Sequence, residues 1–297
     1  MNPYKFSAIA HRDHDYCNPI AAAKVERLLD LLPLDETSRV LDLGCGRAEL
    51  ALRIIERFGS TVVAVDRSSL MLDQARERAE WTGALGKLHL DDTDIRDFRA
   101  DPETFHLSVM LGAGGIAGGM SGICNQLKAW TKSGGYILIG EGFWRTRAHP
   151  DYLNVLGAGG ISGGMAGICQ SLKGWTKPGG YVLVGEGYWK QKPPSDYLAI
   201  LGGDAGQCLD HRGNVQAGID AGLIPMHATT ANADEWDEYE WKYCRAIEAY
   251  AREQPEDPDV PAMFERIRKW RDAYIRWGRD TLGFALYLFY RPGPRIG

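Results

Sequence analysis

The sequence predicts a doubly wound α/β domain built on a mostly parallel seven-stranded sheet. Short apolar runs that suit buried parallel strands alternate with amphipathic segments of helix length, and glycines follow the first of these runs. Strands that alternate with helices favour parallel pairing with right-handed crossovers. The chain of 297 residues is long enough for one such domain, covering residues 1–297, with a helical cap.

The N-terminal region, residues 1–35, is predicted to be an arm followed by a helix. Its first residues carry charges where a signal peptide needs an apolar stretch. Asn18 suits a helix N-cap and Pro19 the first helical position. Several apolar residues then fall on one helical face: Ile20, Val25, Leu28, Leu29 and Leu32.

Four strands are predicted after this helix. The segment "SRVLDLGCG" is a buried strand that opens into a glycine turn, and "STVVAVD", "GKLHLDDTDI" and "FHLSVMLG" are the next three. The segments "AELALRIIERFG" and "SSLMLDQARERAEWTG" between them have helical periodicity and end in glycine. This alternation is the basis for the predicted parallel sheet.

Residues 111–155 and 156–200 are near-copies of each other in tandem, as "LGAGGIAGGMSGIC" and "LGAGGISGGMAGIC" illustrate. Two copies are too few for a solenoid, so we interpret them as a duplication of one helix–strand unit inside a fold. The fold needs only one unit at this place. Because the first copy follows the fourth strand directly, we predict that it completes the main sheet and that the second forms an appended unit.

The C-terminal part is predicted to contain a helix, a strand, a helical cap over residues 231–282, and a final strand in "GFALYLFYRP". The cap carries many aromatic residues, which we interpret as the core between cap helices rather than as an aromatic cage for a ligand. They are Trp236, Tyr239, Trp241, Tyr243, Trp270, Tyr274 and Trp277.

Composition restricts the function further. The net charge is −5 with both signs interleaved, which argues against a nucleic-acid partner. The six cysteines show no CxxC spacing, so we expect neither a metal site nor a disulfide framework. No apolar run is long enough to span a membrane. We therefore expect a cytoplasmic protein.

Carboxylates follow three successive predicted strands, where ligands bind in doubly wound sheets. Asp42 lies two residues before the glycine turn of Gly44 and Gly46, and Asp66 and Asp94 follow the second and third strands. Such carboxylates suit the ribose and the adenine of an adenosine that carries a cationic group, which is S-adenosylmethionine (SAM). A dinucleotide site would instead favour glycine where Glu49 stands.

The sequence resembles the class I SAM-dependent methyltransferases through "VLDLGCGRAEL", "VVAVDRS", "LHLDDTDIRDF" and "TKPGGYVLVGE", in that order, over nearly the whole chain. More narrowly it is similar to a bacterial branch of the family with small-molecule-sized sites. It differs from the family at Ala48, where a third glycine is usual, and from that branch at "LGAGG" after the fourth strand, where "GATW" is expected. The resemblance implies SAM as cofactor, S-adenosylhomocysteine (SAH) as product, and a set of cofactor contacts. These are Asp42, Gly44, Gly46, Asp66, Arg67, Asp94, Ile95 and Leu111.

The candidate catalytic residues are His14 and Tyr16 in the N-terminal segment and Glu141 after the fifth strand. The segment "HRDHDYCNP", which also contains His11, is either a solvated arm or a lid over the site. Glu141 and its counterpart Glu186 either act in the site or accept hydrogen bonds from backbone N–H groups. Their aromatic neighbours, Trp144 and Trp189, are further candidates for a role in the site.

The sequence therefore predicts a SAM-dependent methyltransferase that acts on an unidentified small molecule. Two alternatives stay open: a non-catalytic protein that binds SAM, and a nicotinamide-dependent oxidoreductase. An apolar strand such as "YILIG" leaves an edge through which two chains could pair, so a homodimer is a further prediction.

Overall fold

The computed structural model describes residues 3–16, 18–111, 120–140, 164–201, 205 and 208–293. At its centre is a parallel sheet of five strands: β1 (Arg39–Leu43), β2 (Thr61–Val65), β3 (Leu88–Asp91), β4 (Phe105–Leu111) and β5 (Thr131–Gly140). The strand order is β3-β2-β1-β4-β5. The predicted α/β class with a mostly parallel central sheet is confirmed.

Helices cover both faces of the sheet. Helices α3 (Glu49–Phe58) and α4 (Ser69–Thr82) connect the first three strands. The other helices are α1 (Pro3–Ala10), α2 (Ala22–Leu29), α5 (Met120–Trp130), α6 (Gly164–Trp175), α7 (Ser195–Leu201), α8 (His211–Asp220), α9 (Ala233–Glu253) and α10 (Val260–Ala273). Helix α10 continues through a π-helical turn, Tyr274–Gly278, into Arg279–Thr281.

A second sheet contains the remaining strands, β6 (Tyr181–Trp189), β7 (Ile224–Thr230) and β8 (Leu282–Tyr290), in the order β6-β8-β7. Strand β8 lies in the middle and is antiparallel to both neighbours. The prediction of seven strands in one sheet is therefore wrong, because five strands and three strands form separate sheets.

The two sequence copies explain this division. The first copy supplies α5 and β5, and β5 pairs with β4, as predicted from its direct connection. The second copy supplies α6 and β6, and β6 pairs with β8. Each copy thus occupies a place beside a different partner strand, and among the described residues no backbone ladder joins β5 to β6.

We call the junction of β5 and β6 the seam. Tyr136 and Tyr181 occupy corresponding positions in the two copies, and their rings stack across the seam with centroids 5.6 Å apart. Lys177 of the second copy donates a hydrogen bond to the carbonyl of Thr131 at 2.9 Å. Side-chain contacts therefore hold the two sheets together where a ladder is lacking.

Helix α2 covers the seam with its apolar face. Its Val25, Leu28 and Leu29 line a small cavity of about 30 Å³ that is also lined by Leu138 of β5 and Leu183 of β6. Burial of Val25, Leu28 and Leu29 stabilises the junction by the hydrophobic effect. One helix therefore packs on both sheets.

Helix α2 begins later than predicted, at Ala22 rather than at Pro19, and Asn18 is not its N-cap. The acceptor for the backbone N–H of Ala21 is instead Glu235 Oε1 of α9, at 2.9 Å. The same carboxylate pairs with Lys24 at 2.5 Å. A side chain distant in sequence thus provides the cap that the local sequence suggested for Asn18.

The N-terminal segment packs against the helical cap, which we define as α9 and α10. Phe6 and Ala10 of α1 are buried in a cluster with Ile247 of α9 and with Met263 and Ile267 of α10. Helix α1 is therefore packed rather than solvated, and in the segment "HRDHDYCNP" that follows it His14 is buried whereas Asp13 and Asp15 are exposed. Among the described helices, none is both long and apolar enough to cross a bilayer.

Candidate active site

The predicted glycine turn directly follows β1. Gly44, Gly46 and Ala48 have φ angles of 72°, 53° and 57°, in the left-handed region that favours glycine. The backbone N–H groups of Gly44 and Cys45 donate to the carbonyl of Val65 at 2.8 and 3.1 Å, which ties the turn to the end of β2. Ala48 adopts the backbone conformation of the glycine that the family pattern has there.

Asp66 connects this turn to the next one. Its Oδ2 accepts a hydrogen bond from the N–H of Gly46 at 2.9 Å, and its Oδ1 accepts one from the N–H of Ser68 at 2.9 Å. Each carboxylate oxygen has a second lone pair that can accept from a ligand hydroxyl. Asp66 therefore fixes the two loops at the carboxyl ends of β1 and β2 and can still bind a ligand.

Asp42 is buried beneath the turn, with 4% of its surface exposed. Burial raises the pKa of Asp42 to about 7, and the nearby charge of Asp66 adds to this effect. Two neighbouring carboxylates, one of them buried, create a negative potential that favours a cationic ligand.

Asp94 and Ile95 lie in the loop after β3. Asp94 accepts two hydrogen bonds from the Arg96 guanidinium, at 2.8 and 2.6 Å, and Arg67 lies 3.6 Å away. These interactions, those of Arg96 above all, hold the pKa of Asp94 well below its usual range. Ile95 is buried. An adenine amino group would therefore share Asp94 with Arg96.

Leu111 is the last residue of β4, and 36% of its surface is exposed. The segment that follows it, residues 112–119, lies outside the described residues, as do the candidates Glu141 and Trp144.

A cavity of about 220 Å³, which we call the aromatic cavity, lies between the cap helices, α7, β8 and the N-terminal segment. Five of the aromatic residues predicted as cap core line it, together with seven other residues. The lining residues are Asn18, Pro19, Tyr197, Trp236, Tyr239, Glu240, Tyr243, Trp270, Ala273, Tyr274, Leu282 and Phe284.

Glu240 is the acidic residue of this lining. Its side chain is buried, and it accepts a hydrogen bond from Trp270 Nε1 at 2.7 Å. Burial raises the pKa of Glu240 to about 7, although the bond from Trp270 acts in the opposite direction. Such a carboxyl group is able to exchange a proton near neutral pH.

The N-terminal segment runs between the glycine turn and the aromatic cavity. The Arg47 guanidinium donates to the carbonyl of Arg12 at 2.6 Å and to the carbonyl of His14. Asn18 and Pro19 then line the cavity. Arg47, which comes directly after the glycine turn, therefore fixes the segment that borders both regions.

His14 is buried and Tyr16 is partly buried in this segment, and both line a second cavity of about 360 Å³ beside the first. His14 Nε2 lies 2.8 Å from the carbonyl of Tyr239, which can only accept, so the neutral ring has its lone pair on Nδ1. Burial lowers the pKa of His14 to about 4 and raises the pKa of Tyr16. Both side chains are therefore neutral at pH 7, and neither is a strong base.

Glu186 lies within β6, on the strand face of Val182 and Val184, which pack in a core cluster with Cys169 and Tyr287. Burial raises the pKa of Glu186 well above its ordinary value. Trp189 donates from Nε1 to the carbonyl of Ala205 at 2.9 Å. Neither residue is part of the aromatic cavity lining.

Neither Arg47 nor Glu240 was predicted from the sequence as a residue of the site. An arginine after a glycine turn has no feature that distinguishes it from a surface arginine. Glu240 did have a signal, because it lies four residues after Trp236 on the buried face of α9, where an apolar residue is expected.

Comparison with known proteins agrees with this geometry. A family model described as a methyltransferase domain matches residues 40–135, which include the glycine turn, Asp66 and Asp94. Over these residues the chain is similar to the methyltransferase domain that this model describes. The relative YjhP of Escherichia coli, an uncharacterised protein, is 33% identical to this chain over 145 residues. The matched stretch covers 49% of this chain and 58% of that relative. The match therefore spans little more than half of the relative's length.

Two solved structures share the fold of this protein. A SAM-dependent methyltransferase from Geobacter sulfurreducens, crystallised with SAH, has a TM-score of 0.70 and 22% identity, with 97% of this chain and 98% of that chain covered. A second, from Thiobacillus denitrificans and also crystallised with SAH, has a TM-score of 0.71 and 21% identity over the same shares. Because both structures are less than 25% identical to this chain, they show that the fold is shared and nothing further.

Proposed function

We propose that the protein transfers a methyl group from SAM to a small molecule. The observation that carries this proposal is the position of Asp66, which joins the glycine turn after β1 to the loop after β2 and retains lone pairs for a ligand. SAM has two ribose hydroxyls to donate and a cationic sulfonium. Both fit a site with Asp66 at its edge and the buried carboxyl group of Asp42 beneath it.

The remaining predicted contacts have separate roles in holding SAM. Gly44 and Gly46 allow the backbone to approach the ligand closely. Asp94 accepts from the adenine amino group, and Ile95 and Leu111 contribute apolar surface near the ring. Arg67 lies 3.6 Å from the carboxylate of Asp94 and helps to position that carboxylate. SAM itself supplies a methyl group on a sulfonium, which is already activated for transfer.

The substrate binds in the aromatic cavity, and the chain's contribution to rate is mainly to orient it and to exclude water. Two lining residues have buried polar atoms without a partner among the described residues, namely the Oδ1 of Asn18 and the Nε1 of Trp236. Buried polar atoms are normally hydrogen-bonded, so a bound molecule with a donor and an acceptor would satisfy them. His14 and Tyr16 shape the neighbouring wall as neutral groups, and Glu141 keeps its predicted role as a catalytic candidate.

The free thiols of Cys45, Cys169 and Cys244 support a cytoplasmic location. The nicotinamide alternative is disfavoured by Glu49, which lies at the start of α3 where a dinucleotide would place its pyrophosphate. The non-catalytic alternative predicts SAM binding with no SAH produced from any acceptor.

Calorimetric titration with SAM tests the cofactor site. We expect Asp66→Ala to weaken binding by about 1.5–3 kcal/mol, the scale of hydrogen bonds to a charged group. The matched control is Asp73→Ala, which removes an exposed aspartate of α4. Unchanged SAM affinity in Asp66→Ala would contradict the assignment, and NADH binding in the parent protein would favour the oxidoreductase instead.

A further inference from the structure

Glu240 is a buried carboxylate whose counterion is missing among the described residues. Other carboxylates of α9 have one: Glu235 pairs with Lys24, Asp237 with Arg279, and Glu238 with Arg245. Glu240 is more buried than these three, with 6% of its surface exposed, and its described hydrogen-bond donor is the neutral indole of Trp270. Burying a carboxylate without a cation costs several kcal/mol, so the site favours a ligand that brings a positive charge.

The walls of the aromatic cavity favour the same kind of ligand. Tryptophan and tyrosine rings attract cations through their negative faces, and the lining contains Trp236, Trp270 and several tyrosines. Among the described lining residues there is no lysine, arginine or histidine. A ligand carrying only a phosphate or a carboxylate would therefore meet Glu240 without any basic group to balance it.

We propose that the methyl acceptor is an amine, bound in the aromatic cavity as its ammonium form with Glu240 as the counterion. This inference rests on the proposed function, because only a methyltransferase has a methyl acceptor. It extends that function by naming the substrate class and by giving Glu240 a direct role. It also corrects the interpretation of the aromatic residues as cap core alone, since five of them line the cavity.

The proposed reaction requires the nitrogen to lose a proton before it can act as a nucleophile. The ammonium transfers one proton to a carboxylate oxygen of Glu240, which leaves a lone pair on the nitrogen. This lone pair forms the N–C bond to the methyl group of SAM while the C–S bond breaks, and the electron pair of that bond stays on the sulfur of SAH. Glu240 then releases its proton to water.

A pair of probes with nearly the same shape tests the preference for charge. Choline carries a trimethylammonium group, and 3,3-dimethylbutan-1-ol has a carbon in place of the nitrogen. In the presence of saturating SAH, we expect choline to bind the parent protein at least about tenfold more tightly than the alcohol, as measured by calorimetry or by tryptophan fluorescence. Equal binding of the two probes would overturn the proposal.

Two variants test which residues cause the preference for choline over the alcohol. Glu240→Gln keeps the shape of the side chain and the acceptor for Trp270, and we expect it to weaken choline binding by at least about tenfold while binding of the alcohol is unchanged. Glu265→Gln removes an exposed glutamate of α10 and should change neither. Trp236→Leu removes one aromatic face and should weaken choline alone, which provides a second measurement should Glu240→Gln not fold.

The same preparations separate failure of this inference from failure of the proposed function. SAH is titrated into each protein before either probe is added. Parent protein that binds SAH but does not prefer choline contradicts the amine proposal and leaves the methyltransferase proposal standing. Parent protein that does not bind SAH contradicts both.

Discussion

At the scale of single residues, the position of Glu240 has a consequence for stability. Burial raises its pKa in the folded protein to about 7, whereas an unfolded glutamate ionises near its ordinary value of about 4.3. Between these pH values the folded state holds a proton that the unfolded state has lost. The free energy of unfolding contributed by this group therefore falls as the pH rises through the window.

Replacing Glu240 by glutamine removes this pH-dependent decrease in the free energy of unfolding, because glutamine does not ionise. Relative to the parent, we expect the free energy of unfolding of Glu240→Gln to rise by on the order of 2–3 kcal/mol between about pH 4.5 and about pH 7.5. Urea denaturation at each pH measures the difference, in which the titrations of His14 and Asp42 cancel. Glu265→Gln is the control for losing an exposed glutamate. A difference between Glu240→Gln and the parent that is independent of pH would show that Glu240 is not perturbed by folding.

The positions of some candidate residues could be predicted from sequence because they depend on local structure. Gly44 and Gly46 are required by a turn that immediately follows a strand, and Asp66 is predicted by its place at a strand end. Arg47 and Glu240 act on groups that the fold brings to them, the N-terminal segment for Arg47 and Trp270 for Glu240. These roles depend on tertiary packing, which the residue types alone do not specify.

At the scale of elements, the packing of α8 on the second sheet leaves no space for a side chain at Gly218. A Cβ atom there would lie 2.1 Å from Cε1 of Phe289 in β8, whose side chain is almost fully buried. We expect Gly218→Ala to lower the free energy of unfolding by about 1–3 kcal/mol, because overpacking outweighs the better helix propensity of alanine.

The matched control for this prediction is Gly174 of α6, where an added Cβ would meet nothing within 4 Å. We expect Gly174→Ala to be neutral or to stabilise the protein by up to about 1 kcal/mol. Urea denaturation of both variants measures the two effects. Equal stability of Gly218→Ala and Gly174→Ala would contradict the close packing of α8 on β8.

The elements that sequence predicted well are those with a clear period and their own end signals, such as β1 to β4, α3 and α4. The start of α2 could not be predicted, because the acceptor for the N–H of Ala21 comes from Glu235 in α9. Both copies could be predicted to contain a strand. Their separate partners, β4 and β8, are a property of the assembled fold.

At the scale of the whole molecule, the two copies make a prediction about deletion. Removing residues 112–156 deletes α5 and β5 and joins Leu111 to Gly157, which leaves one intact block. Strand β6 then has β4 available on one side and β8 on the other. We expect one continuous seven-stranded sheet, a single cooperative unfolding transition in urea, and SAM affinity equal to that of the parent.

Removing residues 157–201 instead leaves the first copy, and we expect the same result for the same reason. Circular dichroism, urea denaturation and SAM titration of the two variants are the measurements. If neither variant folds, both blocks are required and the interpretation as a duplicated unit is wrong. The predicted homodimer through the edge of β5 stays a prediction, because the structure concerns a single chain.

The seam joins the sheet that carries the proposed cofactor loops to the sheet whose strand β8 lines the aromatic cavity. The cofactor loops belong to the five-stranded sheet, whereas the described walls of the aromatic cavity come from β8, α7, the cap helices and the N-terminal segment. Methyl transfer is sensitive to errors of about 1 Å in the separation of donor and acceptor. Packed side chains can slide in small shear movements that a backbone ladder resists, so we expect any such movement between the two sheets to occur at the seam. Under the proposed function, the five-stranded sheet would hold the methyl donor and the elements around the aromatic cavity would hold the acceptor, while α2 packs on both sheets and Arg47 binds the N-terminal segment.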